Sequence, residues 1–156
     1  MPADMRDTYL DGLKMLARRE LSEAQVRQRL ARREHSPDSI DAAVSRLKAE
    51  RAIDDGRVAE AIARTETAVK RRGRLRVRRH IEHAGIAPAT ARHAVDQVFS
   101  AIDDEALIEA ALAKRLRGQG PIADDREFRR LYRYLIGQGF DTDRVIKTLT
   151  TRRRQP

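Results

Sequence analysis

The sequence predicts an all-α protein made of three tandem three-helix repeats, each helix-turn-helix-like, in an elongated curved array. Three observations support this prediction. Apolar residues recur at helical spacing, and strand-like alternation is missing. The chain resembles itself at intervals of about 50 residues, which is typical of arrays whose units pack on their neighbours. Aromatic residues make up only 4% of the chain and Trp is absent, so the cores must consist of Leu, Ile, Val and Ala.

The internal repeat is visible in matched segments. The tetrapeptide Ala-Ile-Asp-Asp occupies 52–55 and again 101–104. Positions that align across all three copies are Leu30 with Ile81 and Leu135, His35 with Ile86 and Phe140, and Val44 with Val95 and Leu149. We therefore expect a first repeat at 7–53, a second at 54–102 and a third at 103–151.

Three helices are predicted in the first repeat. Ser22, followed by Gln25, forms a capping-box pattern that starts the second helix. Ser36 before Pro37 is typical of an N-cap followed by the first helical residue. The predicted inward residues are Leu10, Leu13, Leu16 and Ala17, then Val26 and Leu30, and finally Ile40, Val44 and Leu47.

The second repeat is predicted to begin at Asp54 and Asp55, because acids stabilise a helix N-terminus. Gly73 is expected to end its first helix and Gly85 its second, and Pro88 opens the third. The predicted inward residues are Val58, Ala61, Ile62, Thr65 and Val69, then Val77, Ile81 and Ala84, and finally Ala91, Val95, Val98 and Ile102.

The third repeat is predicted to begin at Asp103 and Asp104. The strongest loop signal in the chain, Gly-Gln-Gly-Pro at 118–121, separates its first helix from a second helix at about 124–136. A Gly-Gln-Gly segment at 137–139 follows, and then a short last helix. The predicted inward residues are Leu107, Ala110, Ala111 and Leu116, then Phe128, Leu131, Tyr132 and Leu135, and finally Val145, Ile146 and Leu149.

Charge limits the kind of partner. The chain carries 33 Lys and Arg residues against 24 Asp and Glu, a formal net charge of +9, and the excess falls in the second and third repeats. A basic balance favours polyanions or acidic protein surfaces. Most of the basic residues are Arg, whose planar fork suits phosphate and carboxylate. A genome rich in G and C would also produce an Arg-rich protein, so composition alone leaves both interpretations open.

The densest basic segment, which we call the basic run, occupies 70–79 and contains no acid. Gly73 lies where the chain is expected to turn, so Arg71, Arg72 and Arg74 are predicted to converge on a phosphate beside the next helix N-terminus. The candidate binding residues are Lys70, Arg71, Arg72, Arg74, Arg76 and Arg79. The alternative is a surface that serves only solubility.

A second basic face is predicted near residue 130. Its members recur at i, i+3, i+4 and i+7, and they lie opposite the apolar stripe of the same helix. They are Arg126, Arg129, Arg130 and Arg133. Solvated helix faces usually mix both signs of charge, whereas here only Glu127 is close. We therefore predict a binding role for this face as well.

The sequence favours a binding protein over an enzyme, and it predicts no catalytic residue, no metal and no cofactor. Cys is absent. His80 and His83 lie one helical turn apart but lack the further ligands of a recognisable metal site. His35 is expected to pack between helices. The paired carboxylates each open a helix, where capping accounts for them.

Nothing in the sequence predicts export or membrane insertion. The first residues lack the apolar core of a signal peptide. No stretch approaches the ~20 apolar residues that a spanning helix needs. We therefore expect a cytoplasmic protein that acts as a monomer and does not bind membranes.

Several segments occur in an order that is fairly specific. They are Leu-Ala-Arg-Arg-Glu-Leu-Ser at 16–22, Ile-Asp-Asp at 53–55, Gly-Ile at 85–86, Arg-Leu-Tyr-Arg-Tyr-Leu at 130–135 and Gly-Phe at 139–140. Together with the three-repeat layout, they resemble the RecX family, which consists of bacterial regulators of the RecA recombinase. The resemblance covers nearly the whole chain, from about Tyr9 to Leu149.

The resemblance implies a regulator of RecA, usually an inhibitor, that lies in the helical groove of the RecA–single-stranded DNA filament. Such a protein modulates filament growth, ATP hydrolysis and strand exchange in recombination, DNA repair and the SOS response. The implied partners are the RecA filament and, in a weaker and salt-dependent manner, single-stranded DNA.

The alternative function is a helix-turn-helix transcriptional regulator that reads one duplex site. Residues 22–47 have a suitable length for such a motif. Base readout, however, needs Arg, Asn or Gln on the recognition helix. The corresponding helix at 37–50 offers mainly Asp and Ser, which disfavours this alternative.

Overall fold

The computed structural model describes residues 3–116 and 120–154, and within these ranges it contains nine α-helices and no strand. In chain order they are α1 Ala3–Arg18, α2 Glu23–Arg32, α3 Pro37–Ala49, α4 Asp55–Ala68, α5 Arg74–His83, α6 Pro88–Phe99, α7 Asp104–Leu116, α8 Asp125–Gly137 and α9 Thr142–Arg154. The all-α prediction is confirmed. Of the predicted loop at 118–121, Gly118 and Gln119 lie outside the described residues.

The chain forms two compact units. Unit 1 comprises Met1–Ala59 and Ile81–Ala91, and unit 2 comprises Glu60–His80 and Arg92–Pro156. Unit 1 therefore holds α1, α2 and α3 together with the start of α4, the end of α5 and the start of α6. Both basic segments noted in the sequence, 70–79 and 126–133, belong to unit 2.

The core of unit 1 is mainly aliphatic, and its helix starts are capped as predicted. Its buried cluster consists of Met15, Leu21, Val26, Leu30, Ile40, Val44, Leu47 and Ile53. Ser22 Oγ accepts from the backbone N–H of Gln25 at 3.2 Å, and Gln25 Oε1 accepts from the N–H of Ser22 at 3.0 Å. Ser36 caps α3, with Pro37 in the first turn. Both caps satisfy backbone donors that the helix itself leaves free.

The inward face of α1 differs from the prediction. Leu10 is 40% exposed and Ala17 is exposed, so the prediction was wrong for these two residues. The buried residues of α1 are Thr8, Gly12 and Met15. A Cβ on Gly12 would lie only 2.8 Å from Cδ1 of Leu47. Gly12 therefore faces inward because α1 approaches α3 closely, which sequence periodicity does not reveal.

In unit 1 the start of α2 contacts the end of α5. Ser22 Oγ, besides capping α2, donates a hydrogen bond to the carbonyl oxygen of Ala84. Gly85 faces Ala24 so closely that a Cβ on Gly85 would overlap the Ala24 side chain. The turn after α5 is therefore held against α2 with no room for a side chain.

In unit 2 the start of α5 contacts the turn after α8. The N–H of Gly73 donates to Gln138 O at 2.8 Å, and the N–H of Leu75 donates to Gly139 O at 3.2 Å. A Cβ on Gly73 would lie 2.5 Å from Gly139 O, and a Cβ on Gly139 would overlap the backbone of Arg76. Two stretches of backbone thus meet directly, which requires glycine on both sides.

These two contacts join equivalent positions of the repeats. In the repeat alignment, Ser22 corresponds to Gly73 and Gly85 corresponds to Gly139. Equivalent positions are therefore in contact in each unit, first between residues of the predicted first and second repeats and then between residues of the predicted second and third. In unit 1 Gly85 meets the Ala24 side chain, whereas in unit 2 the two backbones meet. We call these two contacts the repeat junctions.

The turn at each junction contains a residue in the left-handed conformation. Gly85 has a φ of +79° and Gly139 a φ of +93°. The corresponding residue of the first repeat is Glu34, whose φ is +65°. Its N–H still donates to Ala31 O at 2.9 Å. Glu34 therefore adopts a backbone conformation that costs an L-residue energy and that glycine adopts freely.

The inward face of α4 is the second departure from the predicted stripes. Ala61 and Thr65 are exposed and Val69 is 65% exposed, so the prediction was wrong for these three residues. Glu66 is buried instead, with only 1% exposed, and Thr67 is buried beside it. The Oγ1 of Thr67 donates to Ala63 O at 2.8 Å, so its hydroxyl is satisfied. The predicted inward stripe was also wrong for Ile146 of α9, which is 44% exposed.

The Glu66 carboxylate is held by two cations and a histidine, which explains how a charged residue can be buried. It pairs with Arg72, with Nζ of Lys70 at 3.0 Å and with Nδ1 of His80 at 3.0 Å. Burial by itself would raise the pKa of Glu66. The hydrogen bonds from Arg72, Lys70 and His80 outweigh this effect, and the pKa lies below its ordinary value. We call this group the Glu66 cluster.

Replacing Glu34 by Gly is expected to raise the free energy of unfolding by about 0.5–1 kcal/mol, because relief of the left-handed conformation exceeds the added freedom of the unfolded chain. Equilibrium urea unfolding followed by far-UV circular dichroism measures the change. Glu34→Ala is the matched control, since it removes the same carboxylate but keeps the unfavourable φ. Equal stabilisation by both variants would show that charge, and not backbone conformation, is responsible.

Replacing Glu66 by Gln is expected to lower the free energy of unfolding by about 1–3 kcal/mol at neutral pH, because it weakens hydrogen bonds between charged groups around a buried side chain. The pKa of Glu66 is lowered in the folded state. Its stabilising contribution is therefore complete above the pKa of the unfolded carboxyl and disappears as the pH falls through the folded pKa. The difference between wild type and variant should close on acidification.

The matched control for Glu66→Gln is Glu60→Gln on the same helix. Glu60 pairs with Arg64, and the two side chains are 43% and 70% exposed. Exposed pairs of this kind contribute little to stability. A stability difference for Glu66→Gln that stayed constant down to about pH 3, or one no larger than that of Glu60→Gln, would contradict the role given to the cluster.

Candidate functional site

Two members of the basic run form ion pairs with an acid of the same chain. Lys70 and Arg72 both pair with Glu66, and the Arg72 side chain is only 21% exposed. The N–H of Arg72 also donates to Glu66 O at 3.0 Å. These contacts fix the turn between α4 and α5.

Arg74 is also compensated by nearby acids. Its guanidinium lies over the Phe99 ring, 4.8 Å from the centroid. The same group is 3.6 Å from Asp96 Oδ1 and 3.9 Å from Asp104 Oδ2. The charges of Arg72 and Arg74 therefore face carboxylates of unit 2. Of the three arginines predicted to bind one phosphate, only Arg71 is not paired with an acid among the described residues.

Arg76 connects the basic run to the end of α8. Its NH1 donates to Gly137 O and to Gln138 Oε1, both at 3.1 Å. This bond lies beside the junction of Gly73 with Gly139. The structure thus brings the start of α5 and the last turn of α8 together, which the sequence did not predict.

Arg71 and Arg79 are the exposed members of the run that differ from Lys70 and Arg74 in having no nearby carboxylate among the described residues. Arg71 has a φ of +53°, so the chain reverses sharply at this residue. Within the described part of the chain, neither residue forms an ion pair. These two side chains remain available to a partner.

The second predicted face is built on α8 as the sequence suggests. Leu131 and Leu135 are buried, and Phe128 and Tyr132 are partly buried. The opposite side of the helix carries four exposed arginines, which we call the α8 arginine face: Arg126, Arg129, Arg130 and Arg133. The predicted separation of an apolar stripe from a basic stripe is therefore confirmed.

Few carboxylates among the described residues lie near the arginines of the α8 arginine face. Arg130 lies 3.7 Å from Glu127, a distance at which an exposed pair contributes little. Arg129 and Arg133 donate only to backbone carbonyls one turn earlier, at 3.3 Å and 3.4 Å. Among residues 3–116 and 120–154, Arg126 has no ion-pair partner. Of the two predicted basic segments, this face has more charge free for an external anion.

A third basic cluster lies in unit 1, and the sequence analysis missed it. An open groove of about 570 Å³, which we call the α1–α2 groove, is lined by Asp11, Lys14, Met15, Arg18, Arg29, Arg32 and Arg33. A signal was present, since the basic residues recur at i, i+3 and i+4 along each helix. The nearly balanced charge of the first repeat concealed it, because composition does not show which residues lie on one side.

His35 packs between helices as predicted. Its side chain is 12% exposed, and Nε2 lies 2.8 Å from Asp11 Oδ2 while Nδ1 lies 2.9 Å from Thr8 Oγ1. The hydrogen bond with His35 is the main reason that the pKa of Asp11 lies below its ordinary value.

Other kinds of site find no support in the described ranges. Across residues 3–116 and 120–154, no three or more His, Asp or Glu side chains form a group that could hold a metal ion. No helix in these ranges is both long enough and apolar enough to cross a membrane.

Comparison with known proteins places this chain in a family. The family model for RecX, first three-helix domain, matches residues 9–47. The regulatory protein RecX of Chromohalobacter salexigens is 33% identical over 135 residues, covering 86% of this chain and 86% of that protein. The regulatory protein RecX of Halorhodospira halophila is 32% identical over 135 residues, covering 86% of this chain and 81% of that protein.

Solved structures agree in fold. The crystal structure of RecX from Lactobacillus salivarius has a TM-score of 0.78 at 19% identity, covering 95% of this chain and 96% of that chain. A second crystal structure, of a regulatory protein RecX, has a TM-score of 0.79 at 19% identity, covering 95% of this chain and 72% of that chain. Because its sequence relatives align over most of both chains at more than 30% identity, this chain belongs to the RecX family.

Proposed function

We propose that this chain regulates the RecA recombinase, as an inhibitor, by binding in the groove of the RecA–single-stranded DNA filament. Membership of the RecX family supports this function. The observation that carries the proposal is the α8 arginine face, whose four exposed arginines have Glu127 as their one carboxylate contact among the described residues. The alternative of a transcriptional regulator gains no specific support from the exposed surfaces.

Electrostatics explains why such a face suits a filament. Four like charges on one helix repel one another, and an external polyanion relieves this repulsion. Arginine forks can bind phosphate oxygens and carboxylates in a bidentate manner. A DNA–protein filament offers both kinds of group, repeated along its length. Binding of this kind should be fast and should weaken steeply with salt.

The mechanism requires no chemistry by the chain itself. A protein seated across neighbouring RecA protomers opposes the addition of further subunits and the rearrangement that accompanies each ATP cycle. ATP hydrolysis and strand exchange then fall together. In this mechanism Arg71 and Arg79 add contacts, whereas Lys70, Arg72, Arg74 and Arg76 act mainly by holding the turns of unit 2. We place this activity in the cytoplasm, with one copy of the chain sufficient.

The wild-type chain is expected to lower the rate of ATP hydrolysis by RecA on single-stranded DNA, and also the yield of strand exchange. Reversing three arginines of the α8 arginine face, R126E with R129E and R133E, should raise the concentration needed for half-inhibition by roughly tenfold or more. Arg130 is left in place because it faces Glu127. A coupled ATPase assay at two salt concentrations measures the effect.

The matched control reverses three exposed cations on separate helices, R6E with R92E and K114E. These residues have no ion-pair partner among the described residues, so the net charge changes equally without loss of a pair. This control should inhibit nearly as well as the wild type. An absence of any wild-type effect on RecA, or equal losses in both triple variants, would contradict the proposed role of α8.

A further inference from the structure

The α1–α2 groove is lined by cations on two helices, and the proposed role of α8 does not involve them. Lys14 and Arg18 lie one turn apart on α1 and form one wall. Arg29, Arg32 and Arg33 lie at the end of α2 and form the other wall. Two walls of the same sign therefore face one open space of about 570 Å³.

The groove contains one carboxylate, and that carboxylate is already occupied. Asp11 Oδ2 lies 2.8 Å from His35 Nε2, and Asp11 Oδ1 lies 3.3 Å from Arg33 NH1. Within residues 3–116 and 120–154, the remaining four cations of the lining form no ion pair: Lys14, Arg18, Arg29 and Arg32. The charge of the groove is therefore largely uncompensated.

Several other arginines of unit 1 do have carboxylate partners. Arg27 lies 2.5 Å from Asp41, Arg46 lies 2.9 Å from Glu50, and Arg57 lies 2.6 Å from Glu20. The C-terminal ends of α1 and α2 favour nearby cations and offset part of the repulsion in the groove. The helix ends do not account for Lys14, which lies more than a turn before the end of α1. An anion bound between the two walls would interact favourably with all five cations of the lining, Lys14 included.

We infer that the α1–α2 groove binds the phosphodiester backbone of single-stranded nucleic acid directly, without RecA. Interfaces with proteins have cores depleted in charge and anchored by apolar or aromatic side chains. Interfaces with nucleic acids are polar and strongly positive. The lining of this groove has five cations and Met15 as its one apolar side chain, and Met15 is only 7% exposed. This composition matches a phosphate chain and offers little to an acidic protein surface.

The test measures binding of a fluorescein-labelled oligothymidylate to the full chain, with RecA absent, by anisotropy across a range of NaCl concentrations. The groove variant carries R18E, R29E and R32E. We expect its affinity to fall at least tenfold near 0.1 M salt. We expect the slope of log K against log salt to decrease in magnitude by about 2, since each phosphate contact on a single strand contributes about 0.7.

The matched comparison is the variant with R6E, R92E and K114E, three exposed cations outside the groove, which has the same change in net charge. It should lose less than about threefold in affinity for the free oligonucleotide. A neutral variant with R18Q, R29Q and R32Q, together with thermal unfolding of each protein, separates loss of binding from loss of folding. The substituted side chains are polar and have no ion pair to lose, so helical content should be retained.

Four outcomes would overturn the inference. The wild type fails to bind the oligonucleotide, or both groove variants bind it like the wild type. Alternatively, the groove variant and the variant with R6E, R92E and K114E lose affinity equally, which would indicate a response to net charge alone. Finally, the groove binds poly-glutamate but not the oligonucleotide, which would assign it to an acidic protein. Because RecA is absent from this assay, failure here is distinct from failure of the proposed regulation of RecA.

Discussion

The structure depends on a close contact that occurs twice, at the two repeat junctions, where a glycine in a turn lies against the start of a helix. In unit 1 the turn at Gly85 lies against the start of α2, and in unit 2 the turn at Gly139 lies against the start of α5. Neither turn has space for a Cβ. Small repeats have small cores and need contact with a neighbour for stability. A turn glycine packed this closely provides the contact while using few side chains, which leaves the exposed faces of the helices free for other roles.

The junction in unit 2 also explains why some arginines hold the turns of the unit whereas others remain exposed on α8. Because Gly73 and Gly139 meet, the basic run begins beside the last turn of α8, and Arg76 bonds to the end of that helix. The Glu66 cluster holds the preceding turn. A segment that looks in sequence like a uniform basic patch is therefore largely structural. The α8 arginine face lies opposite the buried apolar stripe of the same helix. Packing of α8 uses this stripe and not the arginines, of which only Arg130 is near a carboxylate among the described residues.

The sequence predicted those features that depend on local patterns. Ser22 with Gln25 and Ser36 with Pro37 marked helix starts, and the two stripes of α8 were separated correctly. Prediction of buried residues from the sequence failed where burial depends on a partner that is distant along the chain. Glu66 is buried because Arg72, across a turn, neutralises it. Gly12 faces inward because α3 approaches closely. The α1–α2 groove appears only when two helices are placed side by side, and no single-helix pattern contains that information.

The most direct test of the central claim is a density map of the RecA–single-stranded DNA filament with this chain bound. The claim is that a cationic helix face, assembled on a scaffold of small helical repeats, meets an anionic filament. We expect α8 to face the filament, with density from Arg126, Arg129 and Arg133 reaching phosphate or carboxylate groups. A bound chain whose α8 arginines point into solvent, with contact made only by other helices, would contradict it.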